Sequence, residues 1–350
     1  MIGSYKKQKG KHVHECHNKS IFLGVFYTKN LKAGEKAMDD TAIIYFFTRT
    51  PLHIGSGGSV GAIDLPIIRE RHTAFPIIPG SAIKGVFADE WVEPKVKKVN
   101  SNEEKEYIRN EEGKTLFGTG ADEEAKGGVL QFSEAKLLFF PIRSPKGCFG
   151  WITCPLILNR YARDTGLNSP FDHPSLSDNQ ALFKKDGLLA IKEGEKDKVI
   201  LEEYVFEHAG ELPSNIDLLN HLRTLISKDP IWEKIEDRVV IISDGMMSFF
   251  TQSACEIAQH VKIDDKTGTA ESGALFNQEN VPSETAFYCI VRKSALRSLD
   301  NLEKDPFDLL QEKIIEKKIF QFGADAGTGL GYCTTVFSKL SKKGEESNEQ

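Results

Sequence analysis

The residues best suited to chemistry lie close together between Leu52 and Gly85. A glycine-rich run, GSGGSVG at 55–61, is followed by a single carboxylate, Asp64, and then by the charged run RERH at 69–72. A backbone rich in glycine can turn sharply and approach a ligand closely, because no Cβ stands in the way. Such a loop, beside one acid and several cations, has the parts needed to hold a phosphate backbone and act on it.

The same stretch closes with the sequence PGS at 79–81. Ser81 is predicted to N-cap a helix that carries Lys84. Amide groups exposed at a helix N-terminus, together with a cation, favour the binding of anions. Ser81 and Lys84 are therefore candidate phosphate ligands.

The charged run has two interpretations. Arg69 and Arg71 alternate along an extended segment and could each hold a phosphate bidentately. They could equally pair with Glu70 or another acid on a solvated edge. His72 is ambiguous in the same way. His53, at the loop entrance, could serve as an acid or a phosphate donor, but a packed structural role is favoured for a histidine at a strand end.

Two familiar glycine motifs are excluded. A dinucleotide fingerprint runs straight into a helix, whereas here the third glycine is misplaced and Pro66 would break that helix. A P-loop ends in G-K-[ST], and neither Gly61 nor Gly85 supplies that ending. A plain surface turn between two strands remains an alternative for the glycines taken alone.

The composition, 40% hydrophobic and 27% charged residues, is that of a globular protein able to bury a core. The net charge of −6 weakens a nucleic-acid interpretation, but many acids crowd into 102–112, 122–124 and 345–350, so a local cationic groove is still possible. Six scattered cysteines without a C-x-x-C pair, and no signal peptide or membrane-length apolar run, predict a cytoplasmic protein with no membrane partner.

Hydrophobic periodicity places strands on both sides of two main helices, Ser81–Trp91 and Pro306–Phe320. The predicted strands are 41–47, 129–139, 148–157, 199–206, 239–242, 285–291 and 332–337. Further helices are predicted at 215–227 and at 244–250, the latter capped by Asp244, and a hairpin-like turn at 261–276. The charged, aperiodic segment 93–126 is predicted to be an exposed loop or insertion. This order favours an α+β, ferredoxin-like core.

The ends of the chain carry two further features. The polar N-terminal arm contains HVHECH, whose His12, His14, Cys16 and His17 could ligate a metal, although ligands packed so tightly seldom close a site without a second cluster. Near the C-terminus a second glycine loop, GADAGTGLG at 323–331, includes Gly327, Gly329 and Gly331. It is either a plain connection or a second wall of the same groove.

These motifs resemble the RAMP superfamily of CRISPR effector proteins, and within it the backbone (Cas-seven-type) subunit of the type III-B (Cmr) RNA-targeting complex. Patches of similarity continue to Phe337. The matching positions in the central stretch are His53, Gly55, Ser56, Gly57, 64–67, 69–73, 75–76, 79–81 and 84–85.

The resemblance implies an RRM-like core with an inserted helical region and a protruding thumb hairpin at about 257–281. The domain would span 41–338, with insertions at about 93–128, 160–198 and 207–255, between an N-terminal extension (1–40) and a disordered tail (339–350). It also implies binding to guide RNA and target single-stranded RNA, head-to-tail stacking with further copies, and association with other Cmr subunits. Glycine loops are RNA-contact elements in this superfamily.

Asp64 occupies the position of the aspartate that the resembled family requires for target cleavage. RNA carries its own nucleophile, the 2′-hydroxyl, so a protein has mainly to bend the backbone into line. A carboxylate there could orient the hydroxyl or hold a divalent metal ion, Mg or Mn, and metal placement is favoured because an ordinary carboxylate is a weak base at neutral pH. The structural alternative is an Asx turn before Pro66.

Two departures from the family pattern reduce positive charge. Ala88 stands where the family commonly has an arginine shortly after the K-G of the first helix, and His260 and Lys262 stand where its thumb commonly begins with an arginine. The overall prediction is a metal-dependent endoribonuclease subunit of a Cmr effector that defends against viruses and plasmids. The alternatives are a non-catalytic RNA-binding scaffold of the same kind of complex, or a nucleotide-binding enzyme.

Overall fold

The computed structural model describes residues 40–340 except for gaps at 60, 100–101, 121–123, 167–174, 195, 214–218, 220–231, 233, 265, 298 and 300–301. Thr41–Leu340 form one compact unit. The HVHECH motif, the predicted helix at 215–227 and nearly all of the predicted tail lie outside the described residues. No helix of the described part is both long and apolar enough to cross a bilayer.

Strands dominate the described chain. The strands are β1 (Thr41–Thr48), β2 (Val92–Val99), β3 (Asn102–Arg109), β4 (Leu130–Phe132), β5 (Lys136–Ser144), β6 (Cys148–Thr153), β7 (Gln180–Phe183), β8 (Ile191–Glu193), β9 (Lys196–Leu201), β10 (Tyr204–Gly210), β11 (Val239–Ile241), β12 (Glu256–Ile263), β13 (Ala270–Asn280), β14 (Ala286–Lys293), β15 (Ile319–Gln321) and β16 (Tyr332–Lys339). The α-helices are α1 (Gly80–Ala88), α2 (Glu111–Phe117), α3 (Pro155–Thr165), α4 (Asp244–Ser253) and α5 (Pro306–Lys317).

One large mixed sheet contains 12 strands in the order β15-β16-β1-β14-β5-β6-β11-β7-β10-β9-β8, with β4 also paired to β14. Neighbours are antiparallel except at β6–β11 and β7–β10, which are parallel. Two hairpins stand apart from the sheet as separate two-stranded ribbons, β2–β3 and β12–β13. The architecture is therefore mixed α/β, and the predicted combination of helices and strands is confirmed at this level.

Strand β1 lies inside the large sheet, which explains its continuous apolar run. Its residues from Ala42 to Thr48 are all buried, and Tyr45 lies opposite Tyr288 of β14 on one side and Val336 of β16 on the other. A strand covered on both faces has no polar side, so it lacks the usual alternation. The central stretch begins where β1 ends.

Helix α1 holds the end of the central stretch against the sheet. It buries Ile83 and Phe87, and the Phe87 ring packs edge-on against Phe320 at 5.1 Å between centroids. Aromatic pairs in this geometry add to the stabilisation from burial. The C-terminal turn of α1 is thereby fixed relative to strand β15.

Two predicted helix caps are wrong. Helix α1 begins at Gly80 after Pro79, without a side-chain cap, so Ser81 lies inside the first turn rather than before it. Helix α4 is capped by Ser243, whose hydroxyl accepts from Met246 N at 3.1 Å. The carboxylate of Asp244 instead accepts from Leu156 N at 2.9 Å. Ser81 is the second residue of α1, and Asp244 directly follows the residue that caps α4. Neither residue is therefore at the N-cap position of its helix.

Several predicted boundaries also need correction. The described residues of segment 93–126 include most of the β2–β3 ribbon and α2, whose N-cap Asn110 accepts from Gly113 N at 2.8 Å. The ribbon pairs lysine positions with glutamate positions in register, a pattern that apolar periodicity does not reveal. The strand predicted at 148–157 ends at Thr153, because Pro155 begins α3, where the missing N–H is not needed.

Candidate nucleic-acid interface

The first glycine segment folds back on itself directly after β1. Gly55 pairs with Ile67, Ser56 N donates to Pro66 O at 2.9 Å, and Ile68 N donates to Ile54 O at 2.8 Å. The glycines at the tip are exposed. A Cβ added at Gly57, Gly58 or Gly61 would meet no atom of the described structure within 4 Å. The tip therefore offers a bare backbone to a ligand.

Asp64 lies at the far side of this segment, exposed, next to strand β13. Its Oδ2 atom accepts a hydrogen bond from Asn277 N at 2.8 Å. The following residue, Leu65, pairs with the same strand through its backbone. Leu65 N donates to Asn277 O at 3.0 Å, and Glu279 N donates to Leu65 O at 2.9 Å. One carboxylate oxygen is thus held by a backbone amide while the side chain still faces solvent.

Arg69 forms a buried ion pair behind Asp64. Its Nη2 lies 2.5 Å from Glu279 Oε1, and the two side chains are 18% and 4% exposed. The other oxygen of Glu279 accepts from Ile67 N at 3.0 Å, and Arg69 also donates to Thr251 O at 2.8 Å. Of the two interpretations of Arg69, pairing with an acid describes this contact. The acid is Glu279, however, and the pair is buried rather than on a solvated edge.

The rest of the charged run points elsewhere. Arg71 is exposed, whereas Glu70 accepts from Arg160 Nη1 at 2.8 Å and from Thr73 Oγ1 at 2.6 Å. Burial by itself would raise the pKa of Glu70, but the hydrogen bonds from Thr73 and Arg160 outweigh it and hold that pKa below its ordinary value. His72 Nε2 lies 2.8 Å from Arg160 Nη2. Glu70 and Arg160 thereby tie this turn to α3.

His53 is a packed residue, as favoured for a histidine at a strand end. It is 5% exposed, and its Nδ1 lies 2.7 Å from Glu279 O. A Cβ at Gly55 would come within 3.2 Å of His53 Nε2, so the ring fills the space beside that glycine. A direct contact of His53 with RNA stays a prediction.

The second glycine loop lies against the first segment. Ala324 N donates to His53 O at 2.9 Å, and Gly331 N donates to Pro51 O at 2.8 Å. Asp325 Oδ2 accepts from Gln278 Nε2 of β13 at 3.0 Å. Gly327 is exposed, whereas Gly331 is buried. Both glycine loops and strand β13 therefore meet around His53, which local sequence patterns do not disclose.

A cleft of about 680 Å³ opens beside the N-terminus of α1. Ser81, Lys84 and Arg297 supply polar groups to its walls, together with the backbone at Gly127 and Gly128. The residues that line it include two cations and no carboxylate. Sequence reasoning found Ser81 and Lys84 but missed Arg297, which follows β14 in a segment without any motif.

The β12–β13 hairpin carries His260 and Lys262. The His260 ring stacks on Phe276 across the two strands, with centroids 5.2 Å apart and an angle of 17° between the planes. Within the described residues, His260 Nε2 has no hydrogen-bond partner despite being buried, and Lys262 is exposed. Apolar side chains are exposed along both strands, Leu275 at 65% and Ile257 at 50%. Such a ribbon is suited to contact a ligand with flat apolar faces.

No group of three or more His, Cys, Asp or Glu side chains among the described residues could hold a metal ion. The Asp64 side chain contacts the backbone amide of Asn277, and Arg69 of the same segment is already paired with Glu279. They do not form a metal site by themselves. A cation at Asp64 would have to take most of its ligands from another molecule.

Comparison with known proteins places this geometry in a family. The model of the RAMP superfamily matches residues 46–334. The chain belongs to the RAMP superfamily. The matched range contains the candidate residues from His53 to Gly331.

Similar proteins refine the position within the RAMP superfamily. The CRISPR system Cmr endoribonuclease Cmr4 of Pyrococcus furiosus is 32% identical over 313 residues, covering 86% of this chain and 97% of that protein. A crystal structure of oligomeric Cmr4 from Pyrococcus furiosus aligns with a TM-score of 0.59 and 25% identity, over 87% of this chain and all of that one.

A cryo-EM structure of a type III-B Cmr-beta complex bound to cognate target RNA contains a chain that aligns with a TM-score of 0.60. The identity is 16%, over 86% of this RAMP chain and 98% of that one, so this likeness concerns the fold. The fold matches are consistent with the large mixed sheet described above.

Three residues of the RAMP site escaped sequence reasoning: Asn277, Glu279 and Arg297. Asn277 and Glu279 lie in the polar end of a strand, FNQEN at 276–280. A charged residue at such a place is a usable signal, because Glu is disfavoured in strands unless it has a partner. The partner itself, 210 residues away in the chain, has no local signal.

Proposed function

We propose that this chain is a backbone subunit of a type III-B CRISPR effector, in which it binds guide RNA and cleaves complementary target RNA at Asp64. One observation carries the proposal: an exposed carboxylate, anchored by Asn277 N at 2.8 Å, stands beside an open glycine tip. The relationship supports it, because a protein 32% identical over 97% of its length is a Cmr endoribonuclease.

Cleavage of RNA by its own 2′-hydroxyl requires few catalytic groups from the protein. The 2′-hydroxyl of the target loses its proton and attacks the neighbouring phosphorus, and the bond from phosphorus to the 5′-oxygen of the next nucleotide breaks. The products are a 2′,3′-cyclic phosphate and a 5′-hydroxyl that has taken up a proton, and the rate depends on holding the backbone in line. The bare tip at Gly57 and Gly58 lets a strand come close, and the free oxygen of Asp64 can accept a hydrogen bond from the attacking hydroxyl. Base pairing with the guide supplies sequence specificity, as in other RNA-guided effectors.

The RNA-contact surface in this proposal extends from the first glycine segment to the cleft at α1. Ser81, Lys84 and Arg297 bind phosphates there, and Arg71 adds an exposed cation. The contacts expected of Gly55, Ser56, Arg69 and of the second loop at Gly327 and Gly329 belong to the same proposal. So do His260 and Lys262 of the hairpin, although both replace an arginine common in the family.

The finer description of the fold is also part of the proposal. In chain order β1, α1, β5, β14, α5 and β16 follow a β-α-β-β-α-β pattern, and their strands lie side by side as β16-β1-β14-β5, which supports a ferredoxin-like core. The β12–β13 hairpin would be the thumb. Copies of the subunit would stack head to tail and associate with other Cmr subunits. The domain limits and cytoplasmic location expected from the sequence stay predictions.

Dependence on Mg or Mn stays a prediction as well. The chain offers Asp64 as one ligand, and magnesium in nucleic-acid enzymes commonly combines one or two carboxylates with substrate phosphates. Chelation of divalent ions during an assay of the assembled complex tests this. Full cleavage in a chelator would remove the metal from the proposal and leave the role of Asp64 intact.

The central test uses D64N in the reconstituted complex. Asparagine keeps an oxygen for the amide of Asn277 but loses the charge, so the fold contact survives. We expect single-turnover cleavage of matched target RNA to fall about 100-fold or more, with target affinity unchanged within about threefold. D244N is the matched control, because Asp244 is also exposed and also accepts one backbone N–H, at 2.9 Å.

Unchanged cutting by D64N would end the nuclease assignment and leave a non-catalytic scaffold. The scaffold claim has its own measurement, the RNA that co-purifies with the native assembly. A nucleotide-binding enzyme predicts instead that the isolated chain binds a mononucleotide tightly and carries no RNA.

A further inference from the structure

We infer that the β12–β13 hairpin positions the carboxylate of Asp64, and that Asn277 is the positioning residue. The inference rests on the proposed function, since it concerns how that site is arranged. The backbone amide of Asn277, 213 residues from Asp64 in the chain, orients the carboxylate, which the glycine segment cannot do by itself.

The hairpin edge contacts the segment through three consecutive hydrogen bonds. Asn277 N donates to Asp64 Oδ2 at 2.8 Å, Leu65 N to Asn277 O at 3.0 Å, and Glu279 N to Leu65 O at 2.9 Å. The side chain of Glu279 continues the attachment by accepting from Ile67 N at 3.0 Å. Asp64 is therefore the first residue of a short strand-like attachment to β13.

On the other side of Asp64 the chain has one longer contact with the hairpin, in which Asn277 Nδ2 donates to Ala62 O at 3.5 Å. The glycine tip at Gly57, Gly58 and Gly61 is exposed and its glycines have open space around them. Glycine backbones have many accessible conformations, so such a tip cannot set the direction of a side chain three residues later. The restraint on Asp64 comes from β13.

The hairpin is a separate element that can transmit a change. Its strands pair with each other and are not part of the large sheet. Beyond the attachment it extends through His260, Lys262 and a turn near Gly268, all outside the sheet. When RNA contacts the hairpin, a tilt of β13 moves the amide of Asn277 and the carboxylate of Asp64 together. Target engagement and carboxylate placement are linked in this way.

The test replaces Asn277 with proline, which removes the N–H that Asp64 accepts and also the side-chain amide that donates to Ala62 O at 3.5 Å. The N–H and C=O of Asn277 both face Asp64 and Leu65, so in the antiparallel alternation this residue makes no ladder bond to Gln259 opposite it. Proline is tolerated where the N–H points away from the paired strand. We expect N277P to lower single-turnover cleavage about 10- to 100-fold at saturating target RNA, with half-saturating RNA unchanged.

Q259P is the matched control. Gln259 is the cross-strand partner of Asn277, and by the same alternation its N–H faces the opposite edge, away from Asp64. Q259P imposes a similar restriction on the backbone but leaves the hydrogen bond to the Asp64 carboxylate intact. D64E is a second variant that keeps the charge and moves the carboxylate by one methylene. It should lose cleavage as N277P does, and it remains informative should N277P fail to assemble.

The effects should also be non-additive. In a D64A background, N277P should cause no further loss of residual cleavage, because it acts through Asp64. Wild-type rates for N277P or for D64E, or equal losses for N277P and Q259P, would overturn the inference. These outcomes can be distinguished from a failure of the proposed function. If the proposed function is wrong, the complex with D64N will cleave target RNA at the normal rate.

Discussion

The two glycine loops of this protein are rich in glycine for different physical reasons. In the first loop a Cβ at Gly57 or Gly58 would meet open space. In the second, a Cβ at Gly323 would lie 2.1 Å from His53 O, and one at Gly331 would lie 1.9 Å from Phe322 O. The ends of the second loop thus need glycine in order to pack, whereas the tip of the first has spare space that a ligand can use.

The difference teaches how to interpret glycine density. Both Gly323 and Gly331 also have positive φ, at 78° and 76°, which strains any other residue. A glycine required by packing says nothing about ligands. In the exposed tip, Gly57 and Gly61 also have positive φ, 84° and 61°, so the backbone conformation already favours glycine there. Gly58 has neither a positive φ nor a close neighbour, and a closely approaching ligand backbone explains it.

The largest expected effect is from G331A. The new Cβ would overlap a backbone oxygen that cannot move without shifting β15, and φ would be unfavourable as well. We expect the free energy of unfolding of the isolated subunit to fall by about 4 kcal/mol or more, measured by urea denaturation. G323A should behave similarly, for the same two reasons.

G58A is the control for that comparison, because it has neither the clash nor the positive φ. Its stability should lie within about 0.5 kcal/mol of the wild-type value. A larger G58V change should keep that stability and weaken RNA binding by the assembled complex. Equal stability for G331A and G58A would break the distinction between the two loops.

A second, smaller effect distinguishes the two arginines behind the first loop. R69A leaves Glu279 with its charge buried and without its cation, so we expect a loss of about 3 kcal/mol of unfolding free energy. R71A removes an exposed cation and should change stability by at most about 0.5 kcal/mol while weakening RNA binding. A stable R69A with poor RNA binding would instead favour the phosphate-holding interpretation of Arg69.

The smallest effect is a pH dependence at Glu70, the residue between them. Its folded-state pKa lies below its ordinary value, so its contribution is complete above the unfolded-state pKa, about 4.3, and is lost as pH falls through the lower folded value. At pH 7 the free energy of unfolding of the wild type should exceed that of E70Q by about 1 kcal/mol, and this difference should shrink as the pH falls. A gap that is constant from pH 7 to strongly acidic conditions would contradict this. Denaturation across that range measures it.

Local patterns were sufficient wherever a residue's neighbours in sequence determine its environment. The apolar run of β1, the helix at Pro306 and the closing strand were predicted close to their observed bounds. Caps were predicted less reliably. Ser81 and Asp244 are residue types that commonly cap helices, but the observed N-cap residues are Pro79 and Ser243. The ribbon at 92–109 was missed because its sequence lacks a regular alternation of apolar and polar residues; three of its eight cross-strand pairs place a lysine opposite a glutamate.

The sequence alone determined the family, the apolar core strands, and Asp64 as the exposed acid beside a glycine run, since these depend on residue type and short spacing. Only the tertiary structure decided which glycines pack, which arginine is paired, and what holds Asp64. Those answers depend on contacts such as Arg69 with Glu279, 210 residues apart, and Asp64 with Asn277, 213 residues apart. A hydrogen bond extends about 3 Å in space whatever the separation along the chain, so local spacing cannot reveal its partner.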